Sequence, residues 1–307
     1  MVGTNPAATM LLSSRTTGRL NMFFADQQKP PSSSAADNKK EEQAEEETPA
    51  SSSSSSSLSM DNTIELVSTD DENFLNMVGF FLVDAFWLNS DHHHQIGEAE
   101  ISQDSKMNLC IEQASDLQEK YGERLGKRLL ESRVIAAFDK TTNSILGVVT
   151  FKETLFNEEL MKVLEAEQAE SILKNAVATL GPKQRRQYKN ASVQTICDEL
   201  LVTNANTKSM KPVCVLSNLA ISKTARRQGI GQLLCEQVEY IVKEELKYDE
   251  LYLLVENDNI AGKTLYESKL NYECVGIDEN AIAIRANIQT GEFVEISMDT
   301  LIMKKVL

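Results

Sequence analysis

The sequence predicts an α/β protein in which a mixed central sheet is flanked by helices. From Val213 onward, strand-like and helix-like patterns alternate, an order that favours a partly parallel sheet. Earlier in the chain, Val134–Phe138 and Ile145–Phe151 are predicted as two strands joined by a turn at residues 141–143. A hairpin followed by alternating elements predicts one sheet that contains both antiparallel and parallel pairs.

The elements before this hairpin are predicted from apolar spacing. Ile64–Val67 is predicted as a strand, and Asp71 as the start of a helix whose apolar residues recur every three or four positions through Phe86. A second helix is predicted from an apolar face that comprises Ile111, Ala114, Leu117, Tyr121 and Leu125. Residues 156–208 are predicted as a largely helical insertion between strands, within a folded region that spans residues 61–307.

The elements after Val213 are predicted more sharply. Val213–Ile221 and Leu251–Val255 are predicted as strands, the second buried on both faces because it is a continuous apolar run. Arg227–Leu246 and Asn259–Leu270 are predicted as helices. Two closing strands are expected at Tyr272–Gly276 and Glu295–Met303.

Residues 1–60 do not have the composition of a folded segment. They include an unbroken serine run at Ser51–Ser57, and such a stretch buries too little apolar area to offset the entropy of ordering. Arg15 and Arg19 lie among hydroxyl residues with no acidic residue before Asp26, which is typical of an organellar transit peptide. We therefore predict a disordered leader that directs the protein to an organelle, with an ordinary disordered tail and a cytoplasmic protein as the alternative.

Composition limits the partners. The formal net charge is -15, which repels nucleic acid and favours cationic partners, although a merely soluble acidic surface has the same composition. No apolar run approaches the roughly 18–20 residues of a membrane helix, so no membrane contact is expected. The five cysteines are odd in number and lack CxxC spacing, which predicts neither a disulfide framework nor a zinc site. The adjacent His92–His94 are expected in a solvated loop without a metal.

The most informative segment is Arg226-Arg227-Gln228-Gly229-Ile230-Gly231, between a predicted strand and a predicted helix. Backbone amides at a helix start lack intrahelical acceptors, and the helix dipole adds positive character. Glycine lacks a Cβ atom, so a phosphate can approach the backbone of Gly229 and Gly231. The segment predicts an anion site, although a tight turn is the simpler alternative.

Two common phosphate motifs do not match. The dinucleotide pattern GxGxxG fails because only two glycines stand at GxG spacing. Gly262-Lys263-Thr264 looks like the end of a nucleotide P-loop, but the earlier glycine that such a loop needs would fall on Asn257.

Three linked motifs instead resemble the GNAT superfamily of N-acetyltransferases. Arg-x-x-Gly-x-Gly resembles its pyrophosphate loop, Leu216–Ile221 its central strand, and Leu251–Glu256 the neighbouring strand. Asn259, Leu265 and Tyr266, followed by Leu270-Asn271-Tyr272, resemble its closing elements, with Gly262 in place of the usual alanine and Asn271 in place of the usual glycine. The loop and the run Tyr-Leu-Leu-Val-Glu-Asn-Asp-Asn are most similar to the plastid and cyanobacterial type, which favours a plastid over a mitochondrion.

This resemblance implies the GNAT fold and acetyl-CoA as co-substrate. It implies that the pantetheine arm lies against the backbone of the central strand and that the pyrophosphate lies on the loop and helix start. Asn259 is expected near the cofactor, and Tyr266 occupies the general-acid position, with a core tyrosine as the alternative. The expected cofactor-binding residues are Leu219, Ala220, Ile221, Arg226, Arg227, Gln228, Gly229, Ile230, Gly231, Gln232 and Asn259.

The resemblance leaves the general base and the acceptor open. Glu153, Glu256 or a water chain can serve as the base. The favoured acceptor is the primary amine of a protein, either an N-terminal α-amine or a lysine side chain. The alternatives are a small amine metabolite and a non-catalytic acyl-CoA-binding regulator.

Overall fold

The computed structural model describes residues 63–89, 95–97, 100–123, 129–205 and 207–307. The predicted leader, the His92–His94 group and Leu125 lie outside the described residues. None of the described helices combines the length and the apolar character needed to cross a membrane. No cluster of candidate metal ligands occurs among the same residues.

The strands of the described chain form one mixed sheet, in the order β1-β3-β4-β6-β7-β9-β8-β2, with β5 paired to β4. The pairs β6–β7 and β2–β8 are parallel and the others are antiparallel. The predicted mixed sheet is therefore confirmed. The strands are β1 (Ile64–Val67), β2 (Gln95–Ile96), β3 (Ser132–Asp139), β4 (Ser144–Asn157), β5 (Lys162–Val163), β6 (Met210–Ile221), β7 (Glu250–Glu256), β8 (Glu273–Asn287) and β9 (Glu292–Val306).

Several described helices end in a π-helical turn. Such turns follow α1 (Glu72–Leu82), α5 (Val193–Ile196), α6 (Ile230–Tyr240) and α7 (Ile260–Lys263), and they span Val83–Leu88, Cys197–Leu201, Ile241–Glu245 and Thr264–Lys269 respectively. The remaining helices are α2 (Gln103–Tyr121), α3 (Ala166–Ala178) and α4 (Pro182–Gln187).

Helices cover both faces of the sheet. On one face, α6 and the segment after α7 bury Leu234, Val238 and Leu270 against the central strands. On the other face, α1 and α2 bury Leu75 and Leu117 against β3 and β4. The predicted cap of α1 is confirmed, because an Asp71 carboxylate oxygen accepts a hydrogen bond from the Phe74 amide at 3.0 Å.

The segment between β4 and β6 contains β5, α3, α4 and α5. Its helices enclose an apolar cluster of their own that includes Leu173, Ile196 and Leu201, to which Leu155 of β4 contributes. Helix α3 thereby lies beside the end of β4.

Some predictions about single residues are wrong. Ile111 is 60% exposed, because α2 turns Leu109 and Cys110 inward instead. Leu254, which lies in the strand predicted to be buried on both faces, is 44% exposed. Helix α6 begins at Ile230 and not at Arg227, because Arg227 has a φ of 62° and lies outside the helix.

The last two strands are longer than predicted. Strands β8 and β9 form one long antiparallel hairpin, which runs from the pair Glu273–Lys304 to the pair Asn287–Glu292 and has irregularities between Cys274 and Gly276 and between Asp278 and Ala281. The exposed Ile277, Ile282 and Ile284 interrupt the simple alternation of apolar and polar residues, which is why the sequence pattern indicated only Tyr272–Gly276 and Glu295–Met303.

Candidate active site

Strands β6 and β7 are paired over a short stretch and then diverge. Their parallel register consists of Cys214 with Leu251, Val215 with Tyr252, and Leu216 with Leu253. Strand β6 continues to Ile221 and β7 to Glu256, but among the described residues no further pair joins them. The opening between the two strand ends, here called the fork, leaves an edge of β6 available to an extended ligand.

A β-bulge in β6 accompanies the fork. Thr150 of β4 pairs with Ser217, whereas Val148 pairs with Ala220, so β6 carries an extra residue at this point. Asn218 takes the left-handed conformation with a φ of 51°. Its side-chain amide donates to the Thr150 hydroxyl at 3.1 Å, which fixes the bulge from the neighbouring strand. Because bulges increase local twist, this one helps to turn the end of β6 away from β7.

The loop after β6 leads to an open helix start. Gly229 caps α6 with a φ of 84°, a conformation that favours glycine. The first backbone hydrogen bond of the helix runs from the Leu233 amide to the Gly229 carbonyl at 3.0 Å. The amides of Ile230, Gly231 and Gln232 therefore have no acceptor within the helix, and together with the helix dipole they form an anion site.

The space around the glycines agrees with this site. A Cβ atom on Gly229 would meet no protein atom within 4 Å, and one on Gly231 would lie 3.6 Å from the Leu265 side chain. Space that glycine leaves open at a helix start is space that a phosphate can occupy.

The side chains of the predicted loop and helix start differ in whether they hydrogen-bond to other protein groups. The Arg226 guanidinium donates to the carbonyl oxygens of Ile221 at 3.3 Å and Asn89 at 2.6 Å, so it ties the loop to the end of the π turn after α1. Gln228 and Gln232 also contact protein groups, the Thr224 carbonyl and the Glu236 carboxylate. Arg227 is exposed, and Ile230 is buried in the core.

A cavity of about 710 Å³ opens at the fork. Its lining includes Leu219 and Val255 from the two strand ends, together with Asn259 and Tyr266. Leu254 also lines it, which explains the exposure of this residue. Of the predicted residues, Leu219, Asn259 and Tyr266 therefore share one cavity. Ala220 is buried against the α1 face, and Ile221 packs against the α6 face.

Tyr266 is enclosed by protein but its hydroxyl is accessible. The residue is 8% exposed, and its ring packs edge-on against Tyr272 with centroids 5.9 Å apart. Within the described chain the hydroxyl has no hydrogen-bond partner, and it is not among the fully buried polar atoms. Burial raises the pKa of the Tyr266 phenol above its ordinary value, and the Cys235 thiol adds to this effect. The phenol is consequently neutral around pH 7 and retains a proton that it can donate.

The helix that carries Tyr266 is irregular. The Asn259 side chain caps it by accepting from the Gly262 amide at 2.8 Å. A Cβ atom on Gly262 would approach this side chain to 3.0 Å, which accounts for the glycine at this position. The α-helical part ends at Lys263, and Tyr266 lies in the π turn that follows. The helix predicted over Asn259–Leu270 is therefore α-helical only in its first part.

Both carboxylates that were considered as a general base, Glu153 and Glu256, accept hydrogen bonds from protein groups. The Glu153 carboxylate accepts hydrogen bonds from the Tyr248 hydroxyl at 2.9 Å and from the Glu131 amide at 2.7 Å. In the backbone ladder Glu153 lies opposite Cys214, at a point where β6 and β7 are still paired. Glu256 forms a bidentate ion pair with Arg285, at 2.8 and 2.7 Å. Each carboxylate is therefore held in place by protein donors.

The structure also shows residues that the motifs did not indicate. Arg285 is only 5% exposed and lies beside the open end of β7. A single arginine in the apolar stretch Ala281–Ala286 is the signal that marks it. Asn218 in a strand is a comparable signal, since asparagine tolerates the left-handed region better than most residues. Tyr121 also lines the cavity, but its periodic position indicated only a core residue.

Comparison of the sequence with known protein families finds a match over part of the chain. Residues 198–272 match the acetyltransferase (GNAT) family. This stretch is less than half of the chain, but it includes the fork, the loop, α6 and α7. No curated protein sequence matches the chain significantly.

Solved GNAT structures are similar at low identity. The GNAT-family acetyltransferase of Streptococcus pneumoniae is 15% identical, over 79% of this chain and 100% of its own, with a TM-score of 0.42. NAA60 of Arabidopsis thaliana with a bisubstrate analogue is 14% identical, over 80% and 99%, with a TM-score of 0.43. A spermidine N-acetyltransferase SpeG chimera from Vibrio cholerae is 11% identical, over 80% and 95%, with a TM-score of 0.42. The family match and the order of strands and helices identify the fold of the described domain as the GNAT fold.

Proposed function

We propose that this protein is an acetyl-CoA-dependent N-acetyltransferase whose acceptor is the primary amine of a protein or peptide. The observation that carries the proposal is the position of Tyr266, whose accessible phenol lies in the same cavity as the fork. A proton donor in the cavity of an open strand edge, with an anion site at the start of the helix that follows the same strand, is what an acyl thioester with a phosphate-bearing carrier needs.

The residues present fit acetyl-CoA. The amides of Ile230, Gly231 and Gln232 would hold its pyrophosphate, and the exposed Arg227 guanidinium would add positive charge. The free edge of β6 from Leu219 to Ile221 would bind the pantetheine amides as an added strand. Bound there, acetyl-CoA supplies an activated acetyl group as a thioester.

In the proposed mechanism the residues of this chain stabilise the oxyanion by hydrogen bonding and transfer protons. As the amine nitrogen bonds to the acetyl carbon, the carbonyl oxygen gains negative charge, and the backbone amide near Leu219 is the assigned donor to it. The carbonyl then re-forms as the carbon–sulfur bond breaks and the sulfur leaves with the bonding electrons. The Tyr266 phenol gives its proton to the leaving sulfur. The ammonium proton of the acceptor leaves through water, consistent with the hydrogen bonds that engage Glu153 and Glu256.

A transfer assay tests the proposal. The full chain is incubated with acetyl-CoA and one of three acceptors: a lysine-free peptide with a free N-terminus, an N-terminally blocked peptide with one lysine, or spermidine. Product is identified by mass spectrometry, and thiol release is measured in parallel. Acetylation of either peptide supports the proposal. Acetylation of spermidine alone would show a small-amine enzyme, and acetyl-CoA binding without any transfer would show a non-catalytic binding protein.

A further inference from the structure

The part of the cavity away from the motifs is acidic. Within the described chain, seven glutamates but only two lysines line the cavity. The acidic residues come mainly from the end of α2, from the segment before β3 and from the start of α3. An excess of one charge in a cleft with apolar walls focuses the electrostatic potential and concentrates ligands of the opposite sign.

The neighbouring cations cancel only part of this charge: Arg133 pairs with Glu131 and Arg285 with Glu256, and of the two lining lysines only Lys152 pairs with a lining glutamate. Lys152 contacts Glu165 at 3.2 Å, and Lys120 contacts Asp116 at 2.8 Å. By contrast, Glu167 has no ion-pair partner among the described residues, and Glu170 pairs only with Lys174, which is outside the cavity lining. The first turns of α3 therefore supply two carboxylates to the cavity, of which Glu167 has no matching cation among the described residues.

A buried phenol gives a second, independent indication of a ligand. Tyr121, the last residue of α2, is 6% exposed and lines the same cavity. Its hydroxyl has no hydrogen-bond partner in the part of the chain that the structure describes, and it is not one of the fully closed polar atoms. A phenol oxygen can accept a hydrogen bond from a cation, and the ring face attracts a cation as well.

We propose that this acidic part of the cavity, formed by Glu167 and Glu170 of α3 and by Tyr121, binds a second positive charge on the acceptor. The acceptor then carries an ammonium or guanidinium group close to the amine that is acetylated. This inference rests on the proposed function and adds a substrate class to it, namely basic peptides in preference to neutral ones. It also gives helix α3, which lies in the segment between β4 and β6, a direct part in acceptor recognition.

Peptides of equal length test the inference. Two N-terminal peptides differ only at the second and third positions, with Lys-Arg in one and Gln-Gln in the other, and their lysine side chains are blocked by guanidination, which keeps the charge. Spermidine and a neutral monoamine of similar length form the second arm. We expect kcat/KM to favour the cationic member of each pair by at least about tenfold at low ionic strength, and the preference to shrink with salt.

Variants identify the residues that cause the preference for cationic acceptors. Glu167→Gln with Glu170→Gln should lower the preference by about tenfold, since each exposed ion pair contributes up to about 1 kcal/mol, or roughly fivefold. The change should appear in KM, with kcat for the neutral peptide unaltered. Tyr121→Phe should raise KM for the basic peptide alone. Glu292→Gln, which removes the same charge from an exposed position outside the cavity lining, is the matched control.

The outcomes separate the inference from the function on which it rests. A preference for the cationic peptide that the α3 variant loses and the control keeps supports the inference, whereas a preference that appears in the spermidine arm alone overturns the assignment to basic peptides. Equal transfer to charged and neutral acceptors overturns the inference and leaves the proposed function standing. Transfer to none of the acceptors overturns both.

Discussion

Leu216 and Leu253 form the last pair of the parallel ladder between β6 and β7, and beyond them the two strands separate. The separation starts directly before the bulge at Asn218, which Thr150 fixes from the opposite side of β6. The fork is thus built by the sheet itself and does not require a ligand to hold it open. Pre-organised openings of this kind reduce the entropic cost of binding.

The anion site can be tested at Gly231. Gly231→Asp places a carboxylate among the amides of the first turn of α6. An acidic residue in a first turn is favourable for the helix, so the protein should remain folded. The same charge repels phosphate, and acetyl-CoA affinity should fall at least about tenfold in calorimetric titration. Gly181→Asp, at the exposed start of α4, is the control. Unchanged affinity in the Gly231 variant would place the pyrophosphate elsewhere.

The ion pair at the open end of β7 should support the fork. Arg285→Met leaves the Glu256 carboxylate in a site where it is only 15% exposed and has lost its bidentate partner. Removing one partner of a buried pair costs about 3 kcal/mol, which a urea titration measures as a lower free energy of unfolding. Replacing both residues with Arg285→Met and Glu256→Leu should recover most of this loss. A single variant that loses less than about 1 kcal/mol would show that the pair is effectively solvated.

The stability that the closed end of the fork contributes, where β6 and β7 are paired, should depend on pH. Glu250 begins β7 and accepts from Lys304 of β9 at 2.8 Å and from Lys211 of β6. Burial raises its pKa, but the hydrogen bonds and charges of the two lysines outweigh this, so that the net pKa is lowered. A lowered carboxylate pKa gives stability that is present above the ordinary pKa and disappears as the pH falls through the folded value.

Glu250→Gln should therefore destabilise the protein at pH 7, by about 1 kcal/mol after allowance for partial exposure. The difference from the native chain should shrink as the pH is lowered below about 4. Urea titrations at both pH values check this. If Glu250→Gln lowers the free energy of unfolding equally at both pH values, the Glu250 side chain acts through packing and not through charge.

The sequence predicted those parts of the site that depend on backbone chemistry. The glycines of the loop and the amphipathic α6 are local features, so Gly229 and Gly231 were predicted from their neighbours in the chain, whereas Asn259 came from the resemblance to a family. The positions of Tyr266 and Leu219 in one cavity came from the resemblance to a family, since neither side chain is distinctive by itself.

Other features depend on contacts between distant segments. The π turn that carries Tyr266 changes the helical phase without a local signal, and Arg285 meets Glu256 only after the hairpin of β8 and β9 has formed. The engagement of Glu153 by Tyr248 likewise joins residues that are far apart in sequence. Arg226 was predicted as a phosphate ligand because of its charge, and its contact with the Asn89 carbonyl could not be inferred from the motif.

The most direct test of the account is the turnover of Tyr266→Phe compared with that of Tyr272→Phe. The two phenols are neighbours, but Tyr266 lines the cavity, whereas the Tyr272 hydroxyl is buried away from it. Removing the Tyr266 hydroxyl should lower the turnover of acetyl transfer by about 10²–10⁴-fold, the usual contribution of acid catalysis, with little change in acetyl-CoA affinity or unfolding free energy. Tyr272→Phe should leave turnover nearly unchanged. Near-normal turnover in Tyr266→Phe, or equal losses in both variants, would contradict the assignment of Tyr266 as the proton donor.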